Sequence, residues 1–306
     1  MNLDLLRERA RIVSGIRRFF DDQGFVEVET PVRIPAPAPE EHIDCPPVVG
    51  GGYLRASPEL QMKKLLADGL DRIYQIGPCF REGERGSRHN PEFTMIEWYR
   101  KGATYLDIAN DLERLLADLS RQTSDARLSS DSSFASDSSM ASPARKIRVR
   151  DAYRELAGWD PWGGPWDQDR FDFDMATKIE PAIKALGGGV FLKDYPPQAA
   201  SLAKISTEAS QTSQTLRFAE RWEFYWDGVE LANCFTELCD KDEQLKRFEA
   251  AKGSRKLLNE SDYPIDLEFI EKLPEIKSAA GVALGVDRLV MVLTKTKEIS
   301  AVRASF

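Results

Sequence analysis

The chain has 306 residues, of which 42% are apolar and 30% charged, and it carries a formal net charge of -8. A chain of this length buries one large core or two modest ones, so we expect a soluble globular protein. The acidic balance argues against general binding of nucleic acid, because such affinity rests on cations that neutralise phosphates. A local basic cleft is still compatible with it.

Two further features bear on compartment and metal content. No apolar run approaches the roughly 20 residues of a membrane span, and the first residues mix acids with bases, so we expect neither a span nor a signal peptide and a cytoplasmic location. The four cysteines form no CxxC pair and only two histidines are available. A zinc site is therefore not expected, and the thiols should be reduced.

The N-terminal part of the chain predicts two helices separated by a strand and a loop. Apolar residues recur at helical spacing until Gly24, and FVEVETPV then predicts a strand. Residues 33–47 are rich in proline and predict an extended surface loop. In SPELQMKKLLADG, Ser57 should be the N-cap, Pro58 the first helical residue and Gly69 the stop.

An arginine-rich loop between two strands comes next. RIYQIGPCF and EFTMIEWY are the predicted strands, and residues 81–90 join them as in a hairpin. A guanidinium such as that of Arg81 binds two phosphate oxygens at once, so an arginine at a strand end suits a polyphosphate. The alternative is a solvated loop of surface charges.

The second of these strands places a carboxylate among apolar side chains. Its period of two puts Phe93, Met95, Glu97 and Tyr99 on one face. A glutamate buried there alone would be costly. Glu97 therefore needs a partner, either a ligand ammonium or a lysine of the chain.

Two serine-rich segments interrupt the pattern further along. The first covers about residues 120–146 and the second about residues 207–215. Both have few apolar residues to bury and predict surface insertions.

RWEFYWDGVELANCFTEL predicts a hairpin that turns at Asp227 and Gly228. With that turn, Glu223 should lie opposite Ala232 and share a face with Glu230. Two such carboxylates would hold a hard cation such as Mg²⁺. The alternative is a hairpin whose polar face lies in solvent.

Two more polar residues of this hairpin should point to the opposite face of a regular strand. Asn233 and Glu237 reach the face of Glu230 only if the strand bulges or bends near Cys234. A helix should then begin with Asp240 as its N-cap and Glu243 at the capping-box position.

The C-terminal GVALGVDRLVMVL predicts a strand that leads into a helix. Gly281 and Gly285 would allow a flat ligand to approach the backbone. Arg288 in the first helical turn opposes the helix dipole, which suggests that it serves a phosphate.

Together these segments resemble motifs one, two and three of class II aminoacyl-tRNA synthetases. HNPEFTMIEWY, SPELQMKKLL, PPQAASLAKIS, GVELANCFTEL and GVALGVDRLVM are most similar to lysyl-tRNA synthetases, and the similarity covers most of the chain outside the serine-rich segments. The first motif is reached by Phe25, close to residue 1, so we expect no N-terminal anticodon-binding domain. The chain thus resembles the elongation factor P beta-lysine ligase family, in which a stand-alone core activates (R)-beta-lysine with ATP and joins it to a lysine of elongation factor P.

The resemblance implies a fold and a set of partners. We expect an α+β fold, with an antiparallel sheet flanked by helices, as one catalytic domain over residues 1–306. The expected cofactors are ATP and Mg²⁺, and the expected partners are (R)-beta-lysine and elongation factor P, without tRNA or membrane. A homodimer should form through the first helix and the motif-one strand.

The resemblance also assigns site residues. It implies that Arg81 and Arg288 stabilise phosphate charge and that Glu223 and Glu230 bind the metal ion. The residues it assigns to ATP are Arg81, Glu82, Gly83, Glu84, His89, Asn90, Phe93, Glu230, Leu231, Gly285 and Arg288. Those it assigns to the amino acid are Ser57, Pro58, Glu59, Glu97, Tyr99, Asn233, Glu237 and Ala283.

Three positions depart from the lysyl-tRNA synthetase pattern. Ala283 replaces a glycine, and its methyl should change the shape of the amine pocket in a way that favours beta-lysine over alpha-lysine. One methyl typically changes the discrimination between two substrates by ~1 to 3 kcal/mol. Gly83 stands where a glutamate is usual, so we expect Glu84 to take the adenine-side role. Cys234 replaces a glycine, which bears on the expected bend if positive φ is needed there.

Three other functions are compatible with the sequence. The chain could form lysyl-adenylate for another acceptor, or be a non-catalytic amino-acid sensor derived from a synthetase. It could also be a tRNA synthetase that recruits an anticodon-binding module in trans. The presence of both motif arginines and of both acids assigned to the metal argues against the sensor, which needs neither.

Overall fold

A computed structural model describes residues 2–41, 43–128, 140, 142–209 and 215–304 of the chain. The helices are α1 (Leu3–Asp22), α2 (Glu59–Ala67), α3 (Tyr105–Leu128), α4 (Val149–Ala152), α5 (Gln168–Asp174), α6 (Glu180–Leu186), α7 (Lys241–Leu257), α8 (Leu267–Lys272) and α9 (Val286–Leu293). The strands are β1 (Val26–Glu27), β2 (Arg33–Ile34), β3 (Tyr53–Leu54), β4 (Arg72–Phe80), β5 (Glu92–Lys101), β6 (Arg145–Arg148), β7 (Gly189–Tyr195), β8 (Ile205–Ala209), β9 (Thr215–Trp226), β10 (Val229–Thr236) and β11 (Ala279–Gly285).

The chain divides into two compact units, Met1–Ala103 with Cys239–Phe306, and Thr104–Leu238. In the first unit the strand order is β1, β4, β5, β11, antiparallel except for the parallel pair β1 and β4. In the second, β10, β9, β7 and β6 follow one another and β8 also pairs with β9; among these described strands β6 and β7 are parallel and the other pairs are antiparallel. The predicted α+β fold with antiparallel strands and flanking helices is confirmed, whereas a single catalytic domain stays a prediction.

Helix α1 covers one face of the first unit's strands. Its Asn2 N-cap accepts hydrogen bonds from the first turn, and Gly24 at φ 72° follows its C-terminal end, as predicted. Phe20 stacks on Tyr74 of β4 with ring centroids 4.9 Å apart and lies 5.1 Å from Trp98 of β5. This aromatic packing leaves the other face of β5, which carries Glu97, free of the helix.

The start of α2 differs from its prediction. The N-cap is Pro58, not Ser57, and Glu59 is the first helical residue. The Ser57 hydroxyl still accepts a hydrogen bond from the Glu59 N–H at 3.0 Å, but it also donates to Glu97. Ser57 therefore joins the helix start to β5, a long-range role that local propensity does not reveal.

The β9–β10 hairpin turns at Asp227 and Gly228, whose φ angles of 47° and 73° confirm the predicted two-residue turn. Its register is not the predicted one. Glu223 pairs with Asn233, because a register shift at Leu231 adds one residue to β10. The expected bend near Cys234 thus lies three residues earlier, and Cys234 does not have a positive φ.

The two predicted insertions are only partly covered by the described residues. Helix α3 extends to Leu128 and β6 begins at Arg145, so both ends of the first segment are regular structure. The pair Ala209 and Thr215 closes the β8–β9 hairpin in the second. Residues 129–139, 141 and 210–214 lie outside the described part of the chain.

None of the helices in that described part combines the length and the apolar character that crossing a membrane requires. The four cysteines are all free thiols, and Cys45, Cys79 and Cys234 are buried.

Candidate functional site

The central feature of the first unit is the buried carboxylate of Glu97, whose side chain is 1% exposed. Its Oε1 accepts a hydrogen bond from the Ser57 hydroxyl at 2.6 Å, and its Oε2 accepts one from the Tyr99 hydroxyl at 2.8 Å. Lys63, also buried, pairs with Glu59 at 2.5 Å. The position that the sequence identified as needing a partner is therefore held by two neutral donors.

This environment raises the pKa of Glu97 to about 7, chiefly through burial and then through the Glu59 carboxylate. The hydrogen bonds from Ser57 and Tyr99 and the Lys63 ammonium act in the opposite direction. At neutral pH the carboxyl is poised between its two protonation states. A cation that approaches Glu97 would favour the charged form.

Strand β11 forms the neighbouring edge of this pocket. Ala283 lies directly opposite Glu97 in the antiparallel register, where Cβ atoms are about 4.5–5.5 Å apart. Gly281 lies opposite Tyr99, and a Cβ built on it would fall 2.1 Å from the Tyr99 ring. The predicted role of Gly281 in ligand approach is wrong, because its missing side chain makes room for the tyrosine that donates to Glu97.

Arg81 and Phe93 meet at the other end of this strand face. Arg81 follows the last residue of β4, and its guanidinium carbon lies 5.2 Å from the centroid of the Phe93 ring. Its Nη1 also contacts the Glu84 carboxylate at 3.4 Å. Gly83, at φ 78°, forms the tight turn between them. The adenine-side role of Glu84 stays a prediction, as does that of Asn90, which is half-buried in the same loop.

Arg288 in the first turn of α9 contacts the same loop. Its Nη2 lies 2.6 Å from His89 Nε2, and its Nε donates to the Arg88 carbonyl at 3.3 Å. An arginine only donates, so this contact is a hydrogen bond when Nε2 of the His89 ring carries no proton. Partial burial lowers the pKa of His89, and the Arg288 and Arg81 guanidinium groups lower it further. One imidazole is thus within the electrostatic reach of both predicted phosphate-binding arginines.

Asp287, which the sequence analysis did not single out, fixes the start of α9. This buried carboxylate accepts from the Thr94 N–H at 3.0 Å and pairs with Arg9 of α1 at 2.5 Å and with Arg303 at 3.5 Å. It therefore holds the residue before Arg288 to β5 and α1. An acid inside an apolar helical run was the available sequence signal. Gly285, next to this helix start, has room for a Cβ 3.9 Å from the Arg288 side chain.

The second unit gathers its predicted residues around Arg221, which sequence reasoning missed. Arg221 Nη2 pairs with Glu223 at 2.6 Å and its Nε donates to Asn233 Oδ1 at 3.2 Å. The Tyr225 hydroxyl donates to the other Glu223 oxygen at 2.7 Å. Glu230 raises the pKa of Arg221 together with Glu223, which places its carboxylate in the same neighbourhood. The period of two along β9 was the signal, since residues 221, 223 and 225 share a face.

The other predicted residues of this unit are buried. Leu231 lies at the register shift, and Glu237 pairs with Ala203 in an isolated bridge just after β10. Within the described ranges, no group of three or more His, Cys, Asp and Glu side chains could hold a metal ion. The two-carboxylate Mg²⁺ site remains a prediction.

Comparison with known proteins bears on this arrangement. Residues 2–305 match the family model described as tRNA synthetases class II (D, K and N). The chain belongs to this class II synthetase family. The predicted fold class and the prediction of an ATP-dependent ligase are confirmed by this membership.

Curated relatives of this class II synthetase chain carry a more specific name. It is 39% identical to the elongation factor P–(R)-beta-lysine ligase of Yersinia enterocolitica and 38% identical to that of Proteus mirabilis. Each alignment covers 98% of the chain and 94% of the relative. The predicted resemblance is confirmed, while homodimer, cytoplasmic location and the absence of tRNA binding stay predictions.

The raised pKa of Glu97 predicts a specific pH dependence of stability. Because the Glu97 carboxyl binds its proton more tightly in the folded protein, the free energy of unfolding should fall as pH rises from its ordinary pKa of about 4.5 to about 7. Glu97→Gln should remove this fall, so between pH 5 and pH 8 the free energy of unfolding of the variant should rise relative to wild type by up to about 3 kcal/mol. Urea unfolding at pH 5 and at pH 8 measures this difference.

Glu92→Gln is the control, because Glu92 begins the same strand and its side chain is 55% exposed. A difference between wild type and Glu97→Gln that is the same at both pH values would contradict the assigned pKa.

Proposed function

We propose that the chain uses ATP to activate (R)-beta-lysine as an aminoacyl-adenylate and transfers it to a lysine side chain of elongation factor P. The observation that carries the proposal is the single face of β5 with Phe93 near one end and Glu97 four residues further on. Four residues of strand span about 13 Å, on the order of the length of an extended aminoacyl-adenylate. The names of the curated relatives supply the identities of the amino acid and the acceptor.

The nucleotide end consists of a ring and fixed positive charge. Phe93 offers a stacking surface for adenine, and Arg81 beside it a planar fork for phosphate oxygens. Arg288, held by His89 and the Arg88 carbonyl, adds a second guanidinium. In such a site the arginines stabilise the charge that develops on the transferring phosphate.

The amine end is a pocket with a negative bias. Glu97 is buried and Glu59 lies close enough to raise its pKa, whereas Lys63 supplies only one positive charge. A substrate ammonium would complete the neutralisation and draw Glu97 into its charged form. The Ala283 methyl opposite Glu97 takes up space that a glycine would leave, and we propose that it favours beta-lysine over alpha-lysine.

The reaction then needs no nucleophile from the protein. A carboxylate oxygen of beta-lysine attacks the α-phosphorus of ATP, forming the mixed anhydride as the bond to pyrophosphate breaks. The amine of the acceptor lysine next attacks the activated carbonyl carbon, an amide forms, AMP leaves and the amine loses a proton. The protein contributes position and charge stabilisation to both steps.

We further propose that Glu223 and Glu230 hold Mg²⁺. Both supply oxygen ligands, which this cation prefers, and both carboxylates raise the pKa of the same Arg221 guanidinium against its burial. Arg221 now neutralises Glu223, so a cation there would share or displace that contact. When bound, Mg²⁺ would supply a second positive charge beside these two carboxylates.

Arg288→Ala tests the nucleotide end. Loss of the guanidinium should lower the affinity for ATP and reduce beta-lysine-dependent pyrophosphate exchange by about 100-fold or more. Calorimetry with ATP and exchange kinetics measure the two effects. Arg7→Ala is the control, since Arg7 is exposed and pairs with Asp4 on its own helix. Unchanged ATP affinity would instead favour a non-catalytic amino-acid sensor.

Glu223→Gln and Glu230→Gln test the metal proposal. Each should raise the Mg²⁺ concentration that gives half-maximal exchange by at least about tenfold, because a neutral amide is a weaker ligand for a hard cation. Glu220→Gln is the control on the same strand, where Glu220 contacts Ser206 instead. Identical Mg²⁺ dependence in all four proteins would refute the site.

Intact-mass analysis of elongation factor P tests the acceptor. Incubation with the protein, ATP and (R)-beta-lysine should add one beta-lysyl group to a single lysine, whereas alpha-lysine should add little. Exchange with beta-lysine but no mass change would point to another acceptor. Modification by alpha-lysine alone would identify a lysyl-adenylate former.

A further inference from the structure

The proline-rich loop, residues 35–41 and 43–47, packs beside Ser57 and Glu59, two of the residues assigned to the amine pocket. Pro37, Ala38 and Ile43 of this loop face Ser57 and Glu59 across a cavity of about 20 Å³. Such a space holds at most about one water, so the loop lies close against the residues that surround Glu97. The loop therefore limits the space beside Ser57 and Glu59.

The loop has few contacts of regular structure to hold it in this place. No helix lies between residues 35 and 47 in the described part of the chain, and the loop follows the two-residue strand β2. At its other end Pro47 bridges Tyr53 of β3, and the Pro46 carbonyl accepts from the Leu54 N–H at 2.9 Å. Side chains from elsewhere contact the part of the loop before these two prolines.

Arg255 of α7 supplies most of those contacts. Although its side chain is 1% exposed, its Nη1 donates to the carbonyls of Glu40 at 2.7 Å and Ile43 at 3.1 Å, and its Nη2 pairs with Asp44 at 2.6 Å. Its Nε donates to the Ser261 carbonyl at 2.9 Å. A planar guanidinium with several fixed donors thus binds three loop residues at once, a geometry that an ammonium cannot reproduce.

Tyr263 extends the same anchor. The Arg255 guanidinium carbon lies 4.4 Å from the centroid of its ring. The Tyr263 hydroxyl accepts from the Cys45 N–H at 2.8 Å and donates to Asp44 Oδ1 at 3.1 Å. The Asp44 carbonyl in turn accepts from the Glu82 N–H at 2.8 Å, next to Arg81.

We propose that Arg255, assisted by Tyr263, is a positioning residue that holds the proline-rich loop as the wall of the amine pocket and thereby sets the choice of amino acid. It acts through the loop and does not touch the substrate. This inference rests on the proposed function, because it concerns selectivity in the activation of beta-lysine.

Arg255→Lys tests the inference, since it keeps the positive charge but loses the planar guanidinium that donates to several acceptors at once. Pyrophosphate exchange with (R)-beta-lysine and with alpha-lysine should show a KM for beta-lysine raised about tenfold and a lower preference over alpha-lysine, with kcat within about threefold of wild type. Tyr263→Phe should shift both quantities in the same direction by less. Arg247→Lys is the control, because Arg247 lies on the same helix and is paired with Glu243 one turn away.

Unchanged KM and preference in Arg255→Lys would overturn the inference while leaving the proposed function intact. A parallel fall of kcat for both amino acids, with a lower melting temperature and unchanged preference, would also overturn it. If Arg255→Lys does not fold, Tyr263→Phe decides by the same criteria. A wild-type protein that activates neither amino acid overturns the proposed function and this inference together.

Discussion

The arrangement of the first unit depends on one buried carboxylate. Glu97 sits in the middle of a central strand, where burial disfavours its charge, and its two oxygens are held by the hydroxyls of Ser57 and Tyr99. Neutral donors satisfy hydrogen-bonding capacity without cancelling charge. The protein thereby keeps a carboxyl that gains from a positive ligand, and the neighbouring structure can be understood as maintaining that state.

Several elements serve this purpose from distant parts of the sequence. Gly281 lacks the side chain that would collide with Tyr99, and Ser57 joins the start of α2 to β5. At the far end of the same strand face, Arg81 and Arg288 gather positive charge around His89. A chain with a net charge of -8 thus keeps a local positive site beside a local negative one, which suits a ligand with phosphate at one end and an amine at the other.

Local patterns in the sequence were sufficient for much of this. The period of two along β5 correctly placed Phe93, Glu97 and Tyr99 on one face, and the Asp227-Gly228 pair correctly predicted a hairpin, because both depend on short-range geometry. The motif arginines were found because isolated positive charge at a strand end or a helix start needs an explanation.

What the sequence did not reveal depends on contacts between distant residues. The extra residue at Leu231 changes which side chains of β9 and β10 face each other, and nothing local to GVELANC distinguishes that register from the regular one. Arg221 and Arg255 resemble ordinary surface arginines until the fold buries them against Glu223 and Asp44. For residues whose geometry alone is ambiguous, such as Glu237, the predicted roles rest on family resemblance.

The most direct test of the central claim is a crystal structure of the protein with a non-hydrolysable sulfamoyl analogue of beta-lysyl-adenylate. We predict that the adenine contacts Phe93, that Arg81 contacts the phosphate mimic and that an ammonium of the ligand lies within hydrogen-bond distance of Glu97. The claim would be contradicted if the amino groups of the analogue bound away from Glu97 and both Glu97 oxygens still accepted from the Ser57 and Tyr99 hydroxyls.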